Sequence, residues 1–212
     1  MICIVDYGMG NLRSAQKGIE RAGFAAEITS DPETVRKAPA VVLPGVGAFG
    51  DCYRGLEERG LVDVVREAAL DGRPFLGICV GLQLLFEGSE ESPGCPGLGV
   101  IKGQVVRFPD SRETGLKVPH MGWNQVRTVP GRANPLLDGL DGTPHAYFVH
   151  SFYGRPEDPE AVLATCEYGV EFAAMVGGGN LFALQFHPEK SQTDGLAILR
   201  AFGELAGAEA VT

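Results

Sequence analysis

Cys79 lies in the run Gly77-Ile78-Cys79-Val80-Gly81, which fits the pattern glycine–x–nucleophile–x–glycine. The pattern places a nucleophile on a sharp turn between a strand and a helix. Side chains at the two flanking positions would clash there, so both are glycine. An apolar run, Phe75-Leu76-Gly77-Ile78, precedes the motif, and a helical stretch is predicted from Val80 to Phe86. At a helix N-terminus the dipole and the free backbone N–H groups favour thiolate over thiol. The Val80 N–H would then point at the oxygen of an attacked carbonyl. Taken alone, the motif equally describes a buried core cysteine beside two packing glycines.

A second segment tips that balance. Leu184-Gln185-Phe186-His187-Pro188-Glu189 ends a predicted strand. Residues two apart in an extended segment share a face. Glu189 is therefore placed to accept a hydrogen bond from the His187 imidazole, fixing its tautomer and stabilising the imidazolium. Pro188 stiffens the link and ends the strand. Nucleophile, base and orienting carboxylate are thus present in one chain. His120 and His150, in aromatic-rich segments, and His145, after a turn proline, rank below His187 as the base.

These groups must be positioned by the elements around them. Residues 2–6 are a β-branched run, 7–11 a turn, and Leu12 to Ala22 a helix stopped by Gly23. Strands are predicted at 40–43 and 75–78, with a helix from Leu61 to Leu70 closed by Gly72. Short apolar strands alternating with helices predict an α/β fold with a mostly parallel sheet covered on both faces. The second half reads as strands near 100–107, 122–129, 146–151, 161–166, 171–176 and 181–186, several joined by Gly- or Pro-rich turns such as Gly177-Gly178-Gly179. This suggests mixed or antiparallel strands added to the α/β core in the second half of the chain. A last helix is predicted from Thr193 to Leu205. No repeat or low-complexity linker divides the chain, so residues 1–212 read as a single domain.

Composition sets outer limits. The net charge of −9 disfavours a nucleic-acid or anionic-membrane surface. No apolar run is long enough to span a membrane, and the first residues lack a basic leader, which points to a cytoplasmic protein. Five cysteines without a CxxC pair suit a reducing compartment and argue against a zinc ribbon. No metal or cofactor motif is found, and no GxxxxGKS phosphate loop.

The runs GICVGLQLLFE and QFHPEKS resemble the triad segments of class I glutamine amidotransferases, enzymes that hydrolyse glutamine to supply ammonia. Four further segments resemble one branch, the glutaminase subunits of imidazole glycerol phosphate synthase from histidine biosynthesis. They are Asp6-Tyr7-Gly8-Met9-Gly10-Asn11-Leu12, Pro44-Gly45-Val46-Gly47-Ala48-Phe49, Pro119-His120-Met121-Gly122-Trp123-Asn124 and Tyr147-Phe148-Val149-His150-Ser151-Phe152. The likeness runs from about residue 2 to 206. It implies Cys79, His187 and Glu189 as the catalytic triad, and Gly47 as a backbone oxyanion donor beside Val80. It implies Gln83, Glu91, Ser151 and Phe152 as glutamine contacts, with Glu91 on the α-amino group and the backbone of Ser151 and Phe152 on the α-carboxylate. It implies Trp123, Tyr147 and Lys190 at the interface with a cyclase subunit, a (β/α)₈ barrel that forms a heterodimer with the chain and channels the ammonia. It also implies that the PGVG strand presents its N–H only when the synthase is occupied, so the isolated chain should turn over slowly. The loop at 110–115 carries no assigned role.

Three other readings stand beside this one. The chain could serve another synthase, such as one forming pyridoxal phosphate or guanylate, although the PHMGWN segment argues against it. It could be a catalytically idle regulatory subunit on the same fold. A cysteine peptidase of similar topology is weakened by the glutamine-contact segment at Gln83.

Overall fold

Unbroken apolar runs form the centre of the molecule. In a computed structural model, which describes residues 1–110, 112, 115–140 and 142–208, strands β1 (Ile2–Val5), β3 (Val41–Gly45) and β4 (Phe75–Cys79) are buried at every position. Strands covered by helices on both faces need no polar alternation. With β2 (Ala26–Thr29), β7 (Arg127–Thr128), β10 (Val162–Glu167), β11 (Glu171–Gly178) and β12 (Leu181–Leu184) they make one eight-stranded sheet, ordered β2-β1-β3-β4-β12-β11-β10-β7. The run from β2 to β12 is parallel, and the three remaining strands are antiparallel. Two ribbons stand outside it: β5 (Gly103–Arg107) with β9 (Phe152–Pro156), and β6 (His120–Gln125) with β8 (His145–His150). The expected mostly parallel sheet with added antiparallel strands is present.

Register decides where chemistry can occur. Gly45 of β3 pairs with Cys79 of β4, and Leu184 of β12 pairs with Ile78. Three neighbouring parallel strands therefore end side by side. Their carboxyl ends release Val46-Gly47, Cys79 and Gln185-Phe186-His187 at one edge, where ligands of open α/β sheets bind.

The helices are α1 (Leu12–Arg21), α2 (Pro32–Lys37), α3 (Phe49–Glu58), α4 (Val62–Leu70), the short α5 (Val80–Gln83) and a C-terminal helix, Gln192–Leu205. The structure corrects the expected helix from Val80 to Phe86: α5 stops at Gln83. The carbonyls of Leu84, Leu85 and Phe86 are taken by N–H groups of residues 98–101 instead of by a continuing helix. Gly97 packs against this turn, and a Cβ there would lie 1.9 Å from the Phe86 carbonyl oxygen. The strand expected at 181–186 also ends early, at Leu184. Elements β2, α2, α3 and β9 were not anticipated. The loop at 110–115 lies partly outside the described residues. No helix among the described residues is long and apolar enough to cross a membrane.

Candidate active site

Cys79 is the N-cap of α5 and sits at φ 56°, ψ −110°, a conformation that side-chain-bearing residues avoid. The neighbouring glycines hold it there. A Cβ on Gly81 would lie 1.9 Å from the Leu43 carbonyl oxygen, and one on Gly77 would lie 2.9 Å from the Gly81 oxygen. The elbow is therefore wedged against β3 by contacts that only glycine permits.

The sulfur opens onto a cleft of about 210 Å³. Gly47, Val80, Gln83, Glu91, Ser151, Phe152 and His187 line it with Cys79. Every cleft residue singled out from the sequence is thus in one place. Glu189 stands behind the imidazole, with its Oε1 2.8 Å from His187 Nδ1 and both side chains almost wholly buried. The two-residue spacing works, although not on a strand. Pro188–Lys190 is a 3₁₀ turn, and the segment is anchored by His187 N–H to the Tyr147 carbonyl at 3.0 Å and by Ser191 Oγ to the His187 carbonyl at 2.6 Å.

The His187 pKa is pushed up to about 9. Burial opposes the proton, but hydrogen bonding and charge from Cys79 and Glu189 outweigh it. Nε2 makes no well-aligned hydrogen bond of its own, as is common in catalytic pairs without substrate. The raised imidazole can therefore hold a proton beside the sulfur and hand it to a leaving group.

Gln83 donates both amide protons, to the Phe152 carbonyl at 3.0 Å and to Gln185 Oε1 at 3.2 Å. It can reach a substrate only through its own Oε1, as an acceptor. Glu91 Oε2 accepts the Phe49 N–H at 2.7 Å, capping α3 at the cleft rim. The Ser151 carbonyl accepts from the Phe108 N–H at 3.1 Å, so the oxygens at 151 and 152 are both engaged within the protein. Val46 O accepts the Cys52 thiol at 3.5 Å, which sets the Gly47 N–H of the same planar peptide away from Cys52. Gly47 itself has φ +98°.

Gln185, passed over in the sequence, and His150, ranked there below His187 as the base, also belong here. Gln185 is completely buried and donates to Cys79 Sγ at 3.8 Å. Its position two residues before His187 was the available signal. His150 Nδ1 donates to the Phe152 carbonyl at 2.8 Å. Its Nε2 must then accept from His120 Nδ1 at 3.0 Å, and His120 Nε2 from Asn124 Nδ2 at 3.3 Å. Burial pulls His120 down to about 4, and pulls His150 down to about 3 against its bond to the Phe152 carbonyl. Their ring nitrogens are engaged within the protein, so both serve as struts.

Outside the cleft, Trp123 meets Tyr147 edge-on at 6.2 Å, and Lys190 Nζ lies 5.8 Å from the Tyr147 ring. Trp123 is 47% exposed and Met121 62%. The three residues form one cluster, with Trp123 and Tyr147 on the β6–β8 ribbon and Lys190 on the 3₁₀ turn that follows His187.

The family model for class-I glutamine amidotransferases matches residues 3–204. The chain belongs to that family. The family is enzymatic, and its fold is the one described above. The imidazole glycerol phosphate synthase subunit HisH of Geobacter sulfurreducens is 53% identical over 96% of this chain and 98% of its own. Its counterpart from Geobacter metallireducens is 55% identical over 95% and 96%, and that from Moorella thermoacetica 52% identical over 96% and 94%. Among solved structures, a glutamine amidotransferase superposes with a TM-score of 0.74 at 25% identity, covering 98% of this chain and all of its own. PurLQS from Thermotoga maritima gives 0.71 at 20% identity, over 96% and 97%, which speaks to the fold alone.

Proposed function

We propose that this chain is the glutaminase subunit of an imidazole glycerol phosphate synthase, hydrolysing L-glutamine to glutamate and ammonia at Cys79. The observation that carries the reading is Cys79 and His187 lining one cleft, with Glu189 buried behind the imidazole, in a chain about half identical to synthase subunits along nearly its whole length.

Glutamine enters with its side-chain amide over the sulfur. The thiolate attacks the carbonyl, and backbone N–H groups at Val80 and Gly47 hold the oxyanion. Each such donor contributes about 3 kcal/mol in comparable sites. His187 gives its proton to the departing ammonia, leaving a thioester on Cys79. It then takes a proton from water, and hydroxide attack releases glutamate. Glu189 holds the ring throughout. Glu91 receives the α-ammonium on the carboxylate that also caps α3, Gln83 accepts through Oε1, and the Ser151–Phe152 backbone receives the α-carboxylate.

The ammonia acceptor site belongs to a second subunit, a cyclase (β/α)₈ barrel docked on Trp123, Tyr147 and Lys190. Ammonia passes through the barrel to a phosphoribulosyl-formimino carboxamide ribonucleotide. The products are imidazole glycerol phosphate and aminoimidazole carboxamide ribonucleotide, in histidine biosynthesis. The test is the glutaminase rate of the purified chain with and without that cyclase and its nucleotide ligand. Strong stimulation by both is expected, and none in a Cys79→Ala chain. Stimulation by a different synthase and not by the cyclase would reassign the partner, and full turnover in Cys79→Ala would remove the nucleophile.

A further inference from the structure

Gln185 has no substrate to meet. It is fully buried, its backbone N–H is taken by the Ala174 carbonyl of β11 at 2.9 Å, and its amide lies between Gln83 and the sulfur of Cys79. The orientation of that amide is fixed by its neighbours. Gln83 Nε2 spends one proton on the Phe152 carbonyl and the other on Gln185 Oε1. Turning Gln185 over would set two NH₂ groups against each other and face a carbonyl oxygen towards the sulfur. The observed arrangement pairs Gln83 Nε2 with two acceptors and leaves one Gln185 N–H aimed at Sγ, 3.8 Å away.

From this geometry we propose that Gln185 is a catalytic residue that donates a hydrogen bond to the Cys79 thiolate, holding the sulfur charged and fixing its direction. This rests on Cys79 being the nucleophile. A hydrogen bond to an anionic acceptor is roughly twice as strong as one to a neutral group, so the donor favours thiolate over thiol. The bond is weakened when the sulfur becomes a neutral thioester and is regained when glutamate leaves. Gln83 and Gln185 form a rigid strut from the glutamine-contacting loop at Phe152 to the sulfur. Cys79 ends β4 and Gln185 follows β12, neighbouring strands of one sheet, which limits the reorganisation of donor and sulfur during the reaction.

The experiment is the pH dependence of Cys79 alkylation by iodoacetamide, with steady-state glutaminase kinetics in the synthase complex, for the wild type and Gln185→Met. Methionine keeps the length and burial and removes the donor. The expected result is an alkylation midpoint higher by about one pH unit, and a kcat lower by about tenfold with KM for glutamine little changed. A midpoint and a kcat equal to those of the wild type would overturn the proposal. A kcat loss with an unmoved midpoint would also overturn it, since that outcome describes packing alone. Should Gln185→Met not fold, the wild-type chain decides by NMR. A glutamine side-chain amide resonance must shift in step with the Cys79 titration and stay still in Cys79→Ala, and no such resonance means no such bond. Wild-type labelling at Cys79 separates the two claims. If Cys79 is labelled and turnover is abolished with it, the nucleophile stands whatever Gln185 does.

Discussion

His187 Nδ1 lies 2.8 Å from Glu189 Oε1 in a pocket that excludes nearly all solvent from both side chains. A buried carboxylate on one ring nitrogen fixes the proton there and directs Nε2 to the sulfur side. Glu189→Gln keeps the size but removes the charge. We expect a fall in kcat on the order of a hundredfold or more, with glutamine binding retained. The His187 imidazole, raised to about 9 in the wild type, should titrate at distinctly lower pH in the variant by NMR. A variant titrating as the wild type does would mean that Glu189 does not set the protonation of the ring.

The two glycines at the oxyanion side should separate folding from catalysis. Gly81→Ala drives a Cβ into the Leu43 carbonyl, a backbone atom that cannot give way. A loss on the order of 3 kcal/mol is expected, seen as a lower Tm. Gly47→Ala meets only the flexible end of Met9, at 3.1 Å, but strains a residue at φ +98°. Its stability loss should be smaller, about 1 kcal/mol, while kcat falls through the displaced N–H. Equal Tm losses for the two variants would contradict this reading of the turn.

The buried histidine pair predicts the acid limb of stability. His120 and His150 protonate near pH 6.5 when unfolded but only at about 4 and about 3 when folded. The unfolded chain binds more protons below about pH 6.5, so this contribution is complete above that value and lost as pH falls. His187 acts in the opposite sense. Its contribution is complete below about pH 6.5 and disappears as pH rises through about 9. Between about pH 7 and pH 5, above most carboxylate titrations, Tm should fall, and fall less steeply in His150→Gln. Parallel slopes for the two proteins would show that the pair is not the cause.

Much of this site was legible because its parts carry unusual residue requirements. The elbow needs glycine at 77 and 81, and the strands around it are apolar throughout, so pattern and position agree. Helix α3 was hidden for the same physical reason. Its Gly50 and Gly55 are poor helix formers, retained because a Cβ on Gly55 would lie 2.6 Å from the Tyr7 carbonyl oxygen. Strand β2 is an edge strand, half-exposed and lacking a continuous apolar run. The short α2 did carry a local signal, an Asp31 cap followed by Pro32, but its six residues show too little periodicity to stand out. Gln185 carried only a positional signal, two residues before His187, because a glutamine at a strand end gives no sign of whether its amide meets a sulfur or a solvent molecule.

The Trp123–Tyr147–Lys190 cluster supports the last prediction. Trp123 is nearly half exposed beside the bare Met121, an apolar surface that costs free energy in water and is recovered by a partner. The Lys190 cation over the Tyr147 ring gives that surface a fixed charge. Tyr147 lies under both, and its carbonyl holds the His187 N–H while its own N–H donates to Ser191 Oγ. A partner docked on the ribbon as proposed would bear on Tyr147, one hydrogen bond from the backbone of the base. Trp123→Ala should weaken association with the cyclase by about 2 kcal/mol, roughly thirtyfold in Kd. Lys190→Met should act mainly on the association rate and its salt dependence. Calorimetry for the first and stopped-flow binding at two salt concentrations for the second make the comparison. Unchanged Kd and unchanged rates in both variants would place the cyclase on another face of the molecule.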